Sequence, residues 1–140
     1  MIRNATEADI ARIVELGARM ASQAKLDAHV GYDPESVAAL CRHLIASPDG
    51  ILICDDDGMI GGLAHPHPFN MSVKVGQELF WYSESDTGLA LLEACEAKAK
   101  AIGVQYWTMI CEESMRPKVV GRLYERRGYL PLEHSYIKEL

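Results

Sequence analysis

Residues 78–92 read Glu-Leu-Phe-Trp-Tyr-Ser-Glu-Ser-Asp-Thr-Gly-Leu-Ala-Leu-Leu. The first five, Glu78–Tyr82, are rich in strand-favouring aromatics. Ser83–Gly88 is a polar break ending in glycine. Leu89-Ala90-Leu91-Leu92 opens an alanine-rich segment in which Leu89, Leu92, Cys95, Ala99 and Ile102 recur at helical spacing. Strand, short glycine-containing turn, helix is an arrangement that aims backbone N–H groups and the positive end of a helix at an anion. Gly103 stops this helix, and Val104–Ile110 follows as another strand.

Upstream of this unit, Ile2–Ala5 predicts a short first strand. Thr6 starts a helix to about Gln23, with Asp9 in the capping-box position and Ile10, Ile13, Val14, Gly17, Met20 and Ala21 on one face. Residues 24–32 have no period and read as a loop. Asp33 before Pro34 marks the next helix start, ended by Ser47-Pro48-Asp49-Gly50. The apolar run Ile51–Cys54 predicts a strand buried on both faces. Asp55-Asp56-Asp57-Gly58 is a hairpin turn, where turn chemistry outweighs metal binding. Met59–Ala64 pairs back, and Gly61-Gly62 within it suggests a bulge or a close backbone approach. His65–Asn70 leaves the sheet as a loop, without a third partner that would make His65 and His67 a metal site. Gly76 closes the excursion.

Downstream, Ser114 is the expected cap of a last helix to Arg127, with Pro117 in its first turn. Residues 129–132 and 136–138 are expected to end the chain as short strands. The order is β-α-α-β-β-β-α-β-α-β: one α/β (α+β) domain over residues 1–140, a mixed sheet with helices on both faces.

Composition sets limits on function. The 140 residues are 49% hydrophobic and 24% charged, ordinary for a globular protein able to bury its own core. No apolar run approaches the roughly 18 residues of a membrane span, and a cytoplasmic location is expected. The net charge of −6 argues against nucleic acid as partner. Cys41, Cys54, Cys95 and Cys111 lack metal-type spacing and read as free buried thiols.

Taken together, the opening Ile2–Ile10, the segment Gly88–Leu92 ending at Lys100–Gly103, and the tail Leu123-Tyr124-Glu125-Arg126-Arg127-Gly128-Tyr129 resemble the Gcn5-related N-acetyltransferase (GNAT) superfamily. Glu78–Tyr82 and the terse ending are similar to small GNAT proteins of bacteriophages. The resemblance implies a mostly antiparallel sheet and transfer of an acetyl group from acetyl-coenzyme A to an amine of a small molecule or protein. It places the pantetheine arm along Trp81, Tyr82 and Ser83. The pyrophosphate would lie on Asp86, Thr87, Gly88, Leu89 and Ala90. Tyr124 matches the tyrosine that protonates the leaving thiolate. The general base is open among Glu78, Glu84, Glu112 and Glu113, with Glu84 in the turn as the named candidate. Homodimerisation is common in that family. Here Phe80, Trp81, Tyr106 and Trp107 offer aromatic surface for it, although core packing is their default role.

The phosphate turn departs from the family pattern Q/R-x-x-G-x-G/A. Ser83 stands at the Q/R position and Asp86 at the first glycine, and Pro117 replaces an expected asparagine. An inward Asp86 would cost about 4 kcal/mol against a phosphate ~4 Å away at an effective dielectric near 20. The helix end returns only about 0.3–1 kcal/mol. Either Asp86 turns outward as a cap, or the chain is a binding module on the same fold that no longer uses the coenzyme. Gly121, mid-helix one turn before Tyr124, is expected to admit a ligand or a neighbouring backbone.

Overall fold

The computed structural model describes residues 1–140. The elements are β1 (Arg3–Asn4), α1 (Ile10–Gln23), α2 (Pro34–Ala46), β2 (Gly50–Cys54), β3 (Gly58–His67), β4 (Asn70–Ser83), α3 (Gly88–Ala101), β5 (Tyr106–Thr108) and α4 (Pro117–Arg126). Single 3-10 turns cover Glu7–Asp9 and Leu26–Ala28. One five-stranded sheet runs β1-β2-β3-β4-β5. Its first three pairings are antiparallel, and β4–β5 is parallel. A parallel pair needs a long crossover, and α3 supplies it.

The helices divide between two faces. Ile13 and Leu16 of α1 and Cys41 and Leu44 of α2 pack with Phe80 and Tyr82 on one side. Leu91, Leu92, Cys95 and Ala99 of α3 pack with Ile51, Ile53 and Ile60 on the other, where Trp81 joins them. β2 is buried along its whole length, as a strand covered on both faces must be. Local signals behave as chemistry requires. The Asp9 carboxylate accepts the Thr6 N–H at 2.9 Å, and Asp33 accepts from the N–H groups of Glu35 and Ser36 ahead of Pro34.

Several expectations are corrected. His65–His67 and residues 70–76 are strand, because β3 and β4 continue as one long hairpin whose turn is confined to Pro68-Phe69. The last helix starts at Pro117. Its N-terminal flank is Arg116 in left-handed backbone (φ 52°), so Ser114 does not cap it. Val104–Ile110 contracts to the three residues of β5. Residues 129–140 form no strand: Gly128 turns the chain at φ 90°, and Pro131 has no N–H for a ladder. Cys111 is exposed, unlike the other three cysteines.

The expected bulge is present. Gly61 opposes Phe80 while Gly62 opposes Glu78, so Leu79 is an extra residue in β4. The glycines are needed there, since a Cβ on Gly61 would strike the Phe80 ring and one on Gly62 or Gly76 the Trp107 indole.

Candidate active site

β4 and β5 stay paired only over Val75–Gln77 opposite Tyr106–Thr108. Beyond Gln77 the bulge at Leu79 turns β4 and the two strands separate. A bulge next to a strand divergence leaves backbone groups unpaired and re-aims side chains. The resulting cleft of ≈ 210 Å³ is lined by residues of α1, the following 3-10 turn, β4, α4 and the segment after β5.

Glu78 lies at its base, only 5% exposed. Its carboxylate accepts the Ile110 N–H at 2.9 Å. Tyr124, 7% exposed, donates its hydroxyl to the Ile110 carbonyl at 2.6 Å. A carboxyl and a phenol therefore grip the two backbone groups of one residue. Burial pushes the Glu78 carboxyl up to about 7, the Ile110 N–H pulls it down, and Glu112 adds to the rise. Burial, then the nearby Glu78 charge, raises the Tyr124 phenol well above its ordinary value, so it stays protonated. A carboxyl poised near neutrality beside a protonated hydroxyl is the pairing that acid–base catalysis requires.

The turn after β4 is the other half of the site. Trp81 donates from Nε1 to the Gly88 carbonyl at 2.9 Å, and its ring packs against Tyr124 with centroids 6.0 Å apart. That indole joins the α3 N-terminus to the cleft. Ser83, Ser85 and Thr87 tie the turn internally through their hydroxyls. Asp86 points outward and is exposed, but it does not cap α3: the flanking residue is Thr87, and no side chain caps the helix. The first-turn N–H groups of α3 are thus left to an external partner. A Cβ on Gly88 would sit in ordinary contact with Ser83, 3.6 Å away, and with the Trp81 indole.

A buried carboxylate lies beneath this helix start. Asp55 is 7% exposed. Burial raises its carboxyl, but hydrogen bonds from the Thr87 hydroxyl and the N–H groups of Asp57 and Gly58 outweigh that and hold it below the usual range.

Of the residues expected from sequence, the fold gathers Trp81, Ser83, Thr87, Gly88 and Tyr124 around the turn and cleft. Leu89 and Ala90 sit exposed on the first turn of α3. Tyr82 faces α1, where its hydroxyl accepts from Gln23 and donates to Glu84. Glu84 lies on that side too, paired with Arg19 and more distantly with Arg12, and does not line the cleft. Glu112 lines it, and Glu113 is exposed outside it. A Cβ on Gly121 would meet nothing within 4 Å, so no neighbouring backbone approaches there. Sequence reading missed the gripping of Ile110 and the wall from Met20, Ala24 and Leu26. The signal for Glu78 was a lone carboxylate opening an otherwise apolar strand.

A larger hollow of ≈ 320 Å³ lies between Arg3, Asp9, Arg12, Cys54 and Asp55-Asp56. Its charges already pair, Arg3 with Asp9 at 2.7 Å, and no reactive group is left free.

No protein-family model matches the chain, and no curated protein matches it by sequence. Solved structures do match its fold over the full length. One is a transcriptional regulator from Bacillus halodurans C-125 (19% identity, 100% of this chain and 99% of that chain, TM-score 0.77). Another is a ribosomal-protein-alanine N-acetyltransferase from Brucella melitensis biovar Abortus 2308 (16% identity, 100% and 98%, TM-score 0.68). A third is a predicted acetyltransferase with acetyl-CoA from Clostridium acetobutylicum (12% identity, 99% and 95%, TM-score 0.73). The chain therefore has the fold of the GNAT acetyltransferases. No helix is long and apolar enough to cross a membrane.

Proposed function

We propose that the protein is an N-acetyltransferase that moves an acetyl group from acetyl-coenzyme A to an amine. The observation that carries this reading is Glu78 and Tyr124 meeting at Ile110 in a cleft that Trp81 links to the uncapped N-terminus of α3. Fold likeness alone does not choose a chemistry.

The residues fit the co-substrate in part. The uncapped first turn of α3 suits a pyrophosphate. The absence of a basic side chain in Ser83–Gly88 and the ionised Asp55 behind Thr87 weaken that fit. Acetyl-coenzyme A, when bound, supplies the activated acyl group. In this reading Glu78 takes the proton from the amine, which must be neutral to attack. As the N–C bond forms and the C–S bond breaks, Tyr124 gives its proton to the leaving sulfur. Glu84 serves by bracing the turn against α1 through Arg19.

The sequence-based alternative, a binding module without coenzyme chemistry, has Asp55 and the hydroxyl-tied turn in its favour. The discriminating experiment follows amine acetylation by mass spectrometry with wild-type protein and with Glu78→Gln. Acetylation that falls about 10²–10⁴-fold in the variant supports catalysis. No acetylation of any amine by folded wild-type protein favours the module.

A further inference from the structure

Residues from both faces of the sheet line the cleft, and the two sides differ. Trp81 packs on the face that carries α3 and touches Tyr124, the side from which an acyl donor held at the α3 N-terminus would enter. On the side that carries α1 the mouth is formed by Met20, Ala24, Leu26, Phe80 and Met115. All five are apolar.

The polar inventory of the cleft is short. Its only carboxylates are Glu78 and Glu112, and no lysine, arginine, serine, threonine, asparagine or glutamine lines it. A ligand rich in hydroxyls would lose its water here and find partners for only a few of them at Glu78, Glu112 and Tyr124, which is costly. The volume of ≈ 210 Å³ also sets a scale, since an apolar cavity of about 150 Å³ holds a benzene molecule.

The mouth is also held in place. Lys25 (φ 56°) and Arg116 (φ 52°) are the only non-glycine residues in left-handed backbone. Lys25 sits between Ala24 and Leu26, and Arg116 follows Met115. Such backbone persists only where surrounding structure fixes it, and it concentrates at functional sites. Neither side chain lines the cleft, whose apolar walls leave a second ammonium on a ligand without a partner once it lies beyond Glu78 and Glu112.

From this we infer that the α1-side mouth binds a primary amine carried on a single apolar body about the size of one aromatic ring. The cation is drawn inward by the acidic protein and directed to Glu78, while the ring packs between Leu26 and Met115. Polyamines and polyhydroxylated amines are excluded. That this amine is the acetyl acceptor rests on the acetyltransferase reading, but the site itself does not.

The test is calorimetric titration of phenethylamine, spermidine and kanamycin into the protein without coenzyme. Phenethylamine should bind one to one, at least about 10-fold tighter than the other two. Leu26→Ser and Met115→Gln, each checked for folding by circular dichroism, should each weaken it by about 10-fold or more. The two variants lie on opposite walls, so loss of folding in one leaves the other as the test. Spermidine or kanamycin binding as tightly as phenethylamine overturns the inference, as does wild-type affinity in a folded variant. A second titration with acetyl-coenzyme A present reads acetylated amine by mass. Phenethylamine that binds as described but is never acetylated upholds the amine site and overturns the acetyltransferase reading instead.

Discussion

Glu78 is a carboxylate that the fold keeps nearly dry, and two consequences follow for pH. Its folded pKa of about 7 lies above its ordinary value of 4.5. Between those values the folded state holds the proton more tightly than the unfolded chain. Stability is therefore greatest below about pH 4.5 as far as this group is concerned, and falls as pH rises to about 7. The full loss is on the order of 3 kcal/mol. Glu78→Gln removes the titration, so the variant should melt higher than wild type at pH 8 and gain little at pH 5 in parallel thermal scans. Activity should run the other way. Transfer by wild type should rise with pH through about 7 as Glu78 becomes a base, and the rate profile of Glu78→Gln should lose that limb. Tyr124→Phe removes the hydrogen bond to the Ile110 carbonyl, at about 0.5–1.5 kcal/mol by denaturant titration. It should lower kcat with little change in coenzyme affinity.

At the scale of elements, the site depends on the separation of β4 from β5. The Trp107 indole covers Gly62 and Gly76 and closes the paired end. Gly76→Val would drive that ring off the sheet. It should destabilise the protein by about 1–3 kcal/mol, seen as a lower denaturant midpoint. The turn before α3 carries a separate prediction. Asp55→Asn removes the negative charge beneath Thr87 and should tighten coenzyme binding several-fold; weaker binding would show that Asp55 orders the turn rather than opposing the anion. The sequence announced much of this level. The Gly61-Gly62 pair pointed to a bulge or close approach, and Asp33-Pro34, Gly103 and Gly128 marked ends that the chain obeys. It did not show how far β3 and β4 run beyond Ala64, because His65-Pro66-His67 carries a loop's composition. The long antiparallel pairing overrides that local preference. Nor could it separate Glu78 from Glu84. They are six residues apart in one strand-and-turn, and only the register past Leu79 buries one while the other meets Arg19.

Across the whole molecule, α1 and α2 cover one face of the sheet, α3 covers the other, and the cleft is the place where the sheet itself is open. Glu78, Tyr124 and the uncapped end of α3 come from elements distant in sequence, and Trp81 connects them. The acidic net charge of −6 favours the approach of an amine cation over an anionic coenzyme, so coenzyme affinity should fall less steeply with added salt than at a basic site. The central claim is that this turn, though it keeps only Gly88 of the family's glycines and lacks a basic side chain, still holds acetyl-coenzyme A. Calorimetric titration with acetyl-coenzyme A tests it most directly. One-to-one binding that saturates below about 1 mM, a free energy of roughly −4 kcal/mol or better, is the predicted result. No heat of binding at millimolar coenzyme, with the protein shown to be folded, would contradict it.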